Sequence, residues 1–198
     1  MVVGRFAPSP SGRMHLGNLF SALLAWLSVR SQNGTMLLRI EDLDPERCRP
    51  EYAEQLKRDL DWLGLDWDVE QTPQSQRGEA YRATFDALAA QGLVYPCYCS
   101  RAELHAASAP HASDGTYIYA GTCRNLTAAQ RAEKTRRPAW RVRVPEERVT
   151  VTDRLQGDYT QDLARECGDF ILRRSDGVYA YQLAVVTDDA AGGVTQVV

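Results

Sequence analysis

The sequence predicts an α/β domain, and two observations near the N-terminus carry that prediction. An apolar run at Val2 and Val3 leads through a proline-rich turn into residues 16–30, an apolar segment of helical length. A second apolar run, residues 36–40, ends abruptly in carboxylates. The order strand, helix, strand forms a parallel unit, and ligands of open α/β sheets bind at the carboxyl ends of such strands. We therefore expect the functional site where these two strands end.

The turn between the first strand and the first helix predicts a phosphate site. Pro8 and Pro10 end the strand because neither residue can donate to a strand ladder. Gly12 and Gly17 allow the backbone to approach a ligand closely, and the N-terminus of the helix that follows favours an anion. The two glycines have the spacing of a Walker A loop, but Asn18 stands where that motif requires lysine. The alternative is a tight strand-to-helix connection with no ligand.

The remaining elements follow from the spacing of apolar residues. Residues 16–30 are apolar on nearly every face, which predicts a helix that is buried against the sheet and ends near Gly34. Two more helices are predicted, one carrying Tyr52, Leu56, Leu60 and Leu63 before Gly64, the other spanning 77–91 with Tyr81, Phe85 and Leu88 on one face before Gly92. From Ala139 the pattern alternates as in strands, and Ser175-Asp176-Gly177 predicts a hairpin. The polar segment 106–116 predicts a loop.

Length and charge narrow the class of protein. The chain of 198 residues is long enough for one α/β core and a small appended lobe. A net charge of -3 does not by itself indicate a nucleic-acid ligand, so any attraction to phosphate must be local. No signal-peptide pattern opens the sequence, and no apolar run approaches the roughly 18 residues of a membrane helix. These features predict a cytoplasmic monomer outside the membrane.

Three of the five cysteines form a cluster that predicts a zinc site. Cys97, Cys99 and Cys123 lie near one another in sequence, and an odd cysteine count argues against a disulfide framework. Thiolates favour zinc, which requires four tetrahedral ligands and so leaves one ligand unassigned. His105 and His111 lie between the cysteines and could supply it. The alternative is three buried thiols without a metal.

Two motifs together resemble those of a known family. Residues 5–18, Arg-Phe-Ala-Pro-Ser-Pro-Ser-Gly-Arg-Met-His-Leu-Gly-Asn, precede a strand that ends in Arg39-Ile40-Glu41-Asp42-Leu43-Asp44. This pair resembles the class I glutamyl-tRNA synthetases, whose catalytic domain carries R-x-A-P-S-P-x-G-x-L-H-x-G and then a strand ending R-I-E-D-x-D. The resemblance runs from Gly4 to Val198. It implies a Rossmann-like class I aminoacyl-tRNA synthetase catalytic domain with a small zinc-containing insertion.

The resemblance also implies how the chain divides into segments and which part of the family domain those segments cover. Residues 1–94 would be the first half of the nucleotide-binding domain, 95–137 the zinc-binding insertion and 138–198 the second half. The family continues past this point with a glutamate-binding arginine, further helices and a mobile lysine loop of the K-M-S-K-S type, so the chain is expected to lack the C-terminal part of the family domain.

Four local features resemble a small paralogue within the family, which attaches glutamate to the queuosine base in the anticodon of tRNA-Asp. They are Asp44-Pro45, Gln74-Ser75-Gln76-Arg77, the C-x-C cluster with a later tyrosine, and the segment 180–189. Ordinary glutamyl-tRNA synthetases have close relatives of all four features.

The resemblance implies roles for individual residues. Glutamate would contact Arg5, Phe6, Ala7, Pro8, Ser9, Glu41 and Tyr181, and ATP with Mg²⁺ would contact Pro8, Ser9, Gly12, His15, Gly17 and Asn18. His15 and Gly17 would act in catalysis by holding the triphosphate. Chemically, Arg5 can clamp a carboxylate bidentately and Glu41 can pair with an α-ammonium. The alternative for Arg5 and Glu41 is a surface ion pair. Tyr181 is expected on a strand that enters 185–189, and its alternative is a packing role at the edge of the core.

The resemblance completes the zinc site with Tyr119, since the paralogue uses a tyrosine there. Some glutamyl-tRNA synthetases instead use a histidine two residues after the last cysteine, where this chain has Asn125. A basic patch follows the cluster: Arg124, Arg131, Lys134, Arg136 and Arg137. It suits tRNA, or a solvated helix that begins at the capping signature Thr127-x-x-Gln130.

Three functions are compatible with the sequence. The first is activation of glutamate by ATP without tRNA, followed by transfer to queuosine in tRNA-Asp. The second is the catalytic part of an ordinary glutamyl-tRNA synthetase, which needs tRNA before it activates glutamate. The third is a zinc-stabilised nucleotide- or tRNA-binding module that has no enzymatic activity.

Overall fold

The computed structural model describes residues 1–106 and 118–198, and it describes only the backbone of Arg101, His105 and Ala106. The predicted loop 106–116 and His111 therefore lie outside the described residues, apart from Ala106. The strands are β1 (Val3–Phe6), β2 (Thr35–Leu38), β3 (Val69–Glu70), β4 (Val94–Cys97), β5 (Ala139–Val142), β6 (Arg148–Asp153), β7 (Gly157–Asp162) and β8 (Ile171–Arg173). The helices are α1 (Leu16–Arg30), α2 (Pro50–Trp62), α3 (Gly78–Ala90), α4 (Arg101–Ala106), α5 (Ala128–Ala132), α6 (Leu163–Glu166) and α7 (Tyr181–Ala191), with a 3-10 turn at Gln74–Gln76.

The chain forms two compact units. The first contains residues 1–82 and 183–198, and the second contains residues 83–182. The partition at residues 94 and 137 stays a prediction. None of the helices among the described residues is long and apolar enough to cross a membrane.

The first unit is built on a parallel sheet in the order β1-β2-β3. Val3 pairs with Thr35 and Phe6 with Leu38, so β1 and β2 end at the same level. On the other side of β1, Gly4 pairs in parallel with Gln196. Strand order therefore reverses at β1, and open α/β sheets bind their ligands in the crevice beside the carboxyl end of such a strand. The α/β prediction is confirmed.

Helix α1 has the predicted bounds and packs on the sheet as predicted, but it does so through one face only. Only a narrow stripe of Ala22, Ala25 and Val29 is buried. The opposite stripe, which contains Leu16 (82% exposed), Phe20, Leu23, Leu24 and Leu27, is exposed. Small side chains let one face of the helix pack closely on the sheet, and hydrophobicity alone does not say which face that is.

The other two predicted helices of the first half are confirmed. Leu56 and Leu60 of α2 are buried in the core beside Leu38 and Ile40. Helix α3 buries Tyr81 and Phe85, as the spacing predicted. Gly64 and Gly92 follow these helices with φ of 71°, a left-handed conformation that favours glycine at a helix end.

The second unit contains an antiparallel sheet in the order β4-β5-β8 and a separate hairpin of β6 and β7. The predicted hairpin at Ser175-Asp176-Gly177 is confirmed, since the Arg174 N–H donates to the Val178 carbonyl at 2.8 Å. The second arm of the hairpin pairs with the first through one isolated bridge, between Arg173 and Tyr179.

The segment after Tyr181 is a helix, not the predicted strand. Tyr181 is the first residue of α7 and is 55% exposed. Leu183, Ala184 and Asp188 are buried, which is helical spacing. A short apolar run does not distinguish a buried strand from a buried helix, and here the helix prevails.

Candidate active site and metal centre

The carboxyl ends of β1 and β2 lie side by side at the expected position of the site. The Arg39 N–H donates to the Phe6 carbonyl at 3.0 Å, and the Glu41 N–H donates to the Pro8 carbonyl at 3.0 Å. These bonds extend the strand ladder past β2 and place Glu41 next to the proline turn. The sequence prediction that the two motifs meet is confirmed in backbone geometry.

Arg39 is the centre of a buried ion-pair network at this sheet edge. Its side chain has 0% exposure, its Nη2 lies 3.0 Å from Glu41 Oε1, and its Nη1 lies 2.7 Å from Asp189 Oδ1. Its Nε also lies 3.8 Å from Asp188 Oδ2. Sequence reasoning did not single out Arg39. The available signal was one arginine inside an otherwise apolar run, which a buried strand places in the interior unless it is paired.

Glu41 is buried, with 5% exposure. Burial raises the pKa of its carboxyl group, while the Arg39 guanidinium and the charge of Arg5 partly offset that rise. The alternative of a surface ion pair between Arg5 and Glu41 is wrong, because Glu41 pairs with Arg39 and Arg5 pairs with Asp189 at 3.3 Å. Each carboxylate thus holds a buried or half-buried guanidinium in place.

Asp188 and Asp189 enter the site from α7. Buried Asp188 accepts hydrogen bonds from Gln74 Nε2 at 2.8 Å, Arg77 Nε at 2.6 Å and the Tyr81 hydroxyl at 2.9 Å. Gln74 and Arg77 belong to the motif that resembled the small paralogue, and the structure shows that they anchor α7. The two aspartates lie in the second half of α7, so they orient neighbouring side chains and do not cap the start of that helix.

The turn before α1 forms a reciprocal cap at the predicted phosphate site. His15 Nδ1 accepts from the Gly17 N–H at 3.1 Å, and Asn18 Oδ1 accepts from the His15 N–H at 3.1 Å. A Cβ on residue 17 would lie 2.9 Å from His15 Cε1, so glycine is what lets the imidazole fold back. Because Nδ1 is an acceptor, the neutral ring carries its proton on Nε2, which lies on an exposed side chain beside the helix N-terminus.

Replacing Asn18 by Asp is expected to increase the stability of the fold and to weaken ATP binding. Aspartate retains the acceptor for the His15 N–H and adds a negative charge at the helix N-terminus, which stabilises a helix by about 0.3 to 1 kcal/mol. The same charge repels a triphosphate, so the ATP dissociation constant should rise roughly tenfold. Urea unfolding and calorimetric titration with ATP measure the two effects. Unchanged ATP affinity in N18D would contradict a phosphate site at this turn.

The predicted metal ligands come together in the second unit. The Sγ atoms of Cys97, Cys99 and Cys123 all lie within 4.8 Å of one another. The Tyr119 hydroxyl lies 3.4 Å from Cys97 Sγ and 3.9 Å from Cys99 Sγ. Three thiols and one phenol are a donor set that zinc accepts. The side chain of His105 lies outside the described residues.

Arg141 is a cation beside this cluster that sequence reasoning missed. Its guanidinium carbon lies 3.8 Å from the centre of the Tyr119 ring, and its Nη1 donates to the Asp169 carbonyl at 2.6 Å. Burial by itself raises the pKa of the Cys97 thiol, but the hydrogen bond with Tyr119 and the Arg141 charge lower it overall. Burial likewise raises the pKa of the Tyr119 hydroxyl. A metal would have to displace that proton in order to bind the oxygen.

Part of the basic patch is already paired within the second unit. Arg124 lies 3.2 Å from buried Asp169, and Arg136 lies 3.5 Å from Glu103. The predicted capping signature is confirmed, since Thr127 and Gln130 cap α5 reciprocally. Arg124 therefore supports the fold of this unit.

Comparisons with known proteins agree with this geometry. The sequence model of the catalytic domain of class I tRNA synthetases (E and Q) matches residues 1–198. The chain is 52% identical to the glutamyl-Q tRNA(Asp) synthetase of Nitratidesulfovibrio vulgaris and 50% identical to that of Thiobacillus denitrificans. The alignments cover 100% and 99% of this chain but 65% and 63% of those relatives.

Among solved structures, the chain is similar to a glutamate tRNA ligase from Elizabethkingia meningosepticum in complex with its amino acid. The TM-score is 0.83 at 26% identity, and the match covers 99% of this chain and 43% of that one.

Proposed function

Because the chain belongs to the family of class I tRNA synthetases for glutamate and glutamine, we propose that its first unit activates glutamate with ATP. The observation that carries the proposal is that one positive and one negative side chain lie at the same sheet edge, each with a partner other than the other. Glu41, after β2, is held by buried Arg39, and Arg5, on β1, is held by Asp189, whose side chain is 21% exposed. Both residues lie beside the turn that begins α1. Glutamate has a carboxylate and an ammonium group at its two ends, and this arrangement offers one ligand for each.

Glutamate binds with its α-ammonium at Glu41 and its γ-carboxylate at Arg5. Burial raises the pKa of Glu41. A substrate ammonium group beside it stabilises the ionised carboxylate, and this attraction contributes to substrate binding. Phe6, Ala7, Pro8 and Ser9 provide the other substrate contacts in this unit. A substrate contact by Tyr181, the first residue of α7, stays a prediction.

ATP binds at the turn formed by Pro8, Ser9, Gly12, His15, Gly17 and Asn18. The glutamate α-carboxylate attacks the α-phosphorus of ATP, the bond from that phosphorus to the bridging oxygen of the β-phosphate breaks, and pyrophosphate leaves the glutamyl adenylate. His15 donates from Nε2 to the phosphate oxygens, and the first turn of α1 contributes its dipole. Mg²⁺ accompanies the triphosphate. The protein accelerates this step by orientation and charge stabilisation, with no covalent intermediate on a side chain.

The second substrate is tRNA-Asp that carries queuosine. A hydroxyl of that base attacks the carbonyl carbon of the glutamyl adenylate, an ester forms, and AMP leaves with the loss of the hydroxyl proton. The glutamyl-Q tRNA(Asp) synthetases that are 52% and 50% identical to the chain support this acceptor. Zinc in the second unit has a structural role, held by Cys97, Cys99, Cys123 and Tyr119.

Glutamate-dependent exchange between ATP and pyrophosphate without tRNA tests the proposal. Exchange is expected from this chain and a loss of roughly 100-fold or more in Glu41→Gln, because glutamine keeps an acceptor for Arg39 but cannot neutralise an ammonium. Circular dichroism and the urea midpoint of the variant establish that its fold is retained.

The other possible functions give different results in the same assay. Exchange that appears only when tRNA-Glu is added would favour an ordinary glutamyl-tRNA synthetase. ATP binding in calorimetry without exchange, with or without tRNA, would favour a binding module and refute activation by this chain.

A further inference from the structure

Asp189 joins two guanidinium groups through one oxygen. Its Oδ1 accepts from Arg39 Nη1 at 2.7 Å and from Arg5 Nε at 3.3 Å. Arg5 lies on β1 and Asp189 on α7, and 184 positions separate them along the chain. The oxygen thus connects the buried network to the side chain proposed to bind the substrate carboxylate.

Arg39 is a fixed anchor for Asp189. Its guanidinium is fully buried and also donates to Glu41 from Nε and Nη2 and to Gln71 from Nη1. Every nitrogen of that fork has a carboxylate or amide oxygen within hydrogen-bond distance. A guanidinium with all its nitrogens engaged cannot rotate without breaking several charged hydrogen bonds, so the position of Asp189 Oδ1 is set.

Arg5 is held by its Nε alone. Among the described residues, the bond to Asp189 is the only side-chain hydrogen bond that Arg5 makes. The N–H groups of Nη1 and Nη2 are therefore not engaged by other side chains among the described residues. Two parallel N–H groups of this kind bind both oxygens of a carboxylate. The side chain of Arg5 is only 14% exposed, which strengthens its interaction with a charged ligand.

We propose that Asp189 is a positioning residue that makes this site selective for an acidic substrate, by fixing the Arg5 guanidinium with its Nη pair available. The inference rests on the proposed role of Arg5 at the substrate carboxylate. An amide in place of the carboxylate offers one acceptor and turns an N–H₂ group toward a guanidinium that is itself only a donor. A fixed Arg5 therefore rejects glutamine, whereas an Arg5 that can rotate tolerates it.

The test is calorimetric titration of Asp189→Asn with L-glutamate, L-glutamine and ATP. The variant should bind glutamate roughly tenfold more weakly, lose most of its preference over glutamine, and keep the ATP dissociation constant of the parent chain. Asp61→Asn removes an exposed aspartate and should change none of the three values. Asp189→Glu restores a carboxylate and should recover part of the preference.

Electrostatic competition predicts the opposite change in glutamate affinity, so the experiment distinguishes it from the positioning role of Asp189. If Asp189 only competed with the substrate for Arg5, its neutralisation would tighten glutamate binding. Equal or tighter binding of glutamate by D189N would overturn the inference and leave the proposed function standing. No glutamate binding by the parent chain would instead refute the proposed function.

A double-mutant cycle keeps the test valid if D189N unfolds. Arg5→Lys keeps the positive charge but removes the Nε that Asp189 holds. It should lose selectivity for glutamate over glutamine as D189N does, and adding Asp189→Glu to it should cost no further selectivity. Selectivity that survives in R5K, or losses that simply add in the double variant, would refute the positioning role.

Discussion

Replacing Arg39 by methionine is expected to lower the free energy of unfolding of the first unit by about 3 to 5 kcal/mol. Methionine fills a similar volume without a charge, so buried Glu41 loses the cation that it pairs with and Asp189 loses the closer of its two cations. Urea unfolding followed by tryptophan fluorescence measures the loss as a lower midpoint at unchanged slope.

Two further variants test whether the charge network causes this loss. Adding Glu41→Gln to R39M removes one of the stranded carboxylates and should restore part of the stability. Lys57→Met is the control, because Lys57 pairs with Glu54 and Glu70 at the surface and such pairs contribute less than about 1 kcal/mol. Equal losses in R39M and K57M would contradict a dominant role of the buried network.

Removal of the metal is expected to destabilise the second unit by several kcal/mol or more, since structural zinc contributes roughly 10 to 16 kcal/mol in zinc-finger peptides. The purified chain should contain about one zinc per molecule, as metal analysis would measure. A strong chelator should then lower the thermal midpoint, and zinc should restore it. Each of Cys97→Ser, Cys99→Ser and Cys123→Ser should abolish tight binding.

The remaining cysteines and Tyr119 make this prediction specific. Cys48→Ser and Cys167→Ser should retain the full zinc content, because neither thiol belongs to the cluster. Tyr119→Phe should keep the fold but release zinc to a chromogenic chelator at least roughly tenfold more readily. Zinc retained at parental affinity in Y119F would show that the fourth ligand lies elsewhere.

Sequence reasoning succeeded where the determining interactions are local. The bounds of α1 follow from its apolar length and from a turn that caps it within four residues. Arg5 lies on β1, and Glu41 follows the adjacent strand β2 of the same unit. It failed at Tyr181, where an apolar run of a few residues fits a strand as well as a helix. The sequence also did not show which face of α1 packs on the sheet, because both of its faces are apolar.

The residues that were missed depend on distant partners. Arg39 is paired with Asp189 across 150 positions, and nothing near either residue indicates the other. Arg141 stacks on Tyr119 only after β5 has paired with β4. Such contacts are consequences of topology, so local patterns cannot reveal them. The cysteines were found because their spacing along the chain is short, whereas Tyr119 was implied by the resemblance to the family.

The first unit contains residues from both ends of the sequence, and this has a consequence for protein synthesis. Arg39 leaves the ribosome long before Asp188 and Asp189, and at bacterial elongation rates of roughly 5 to 20 residues per second the interval is about 8 to 30 seconds. Residues 83–182 are contiguous and are complete before that interval ends. The second unit can therefore fold first, while the nascent N-terminal strands wait for α7 and are in that period the part of the chain that chaperones must protect.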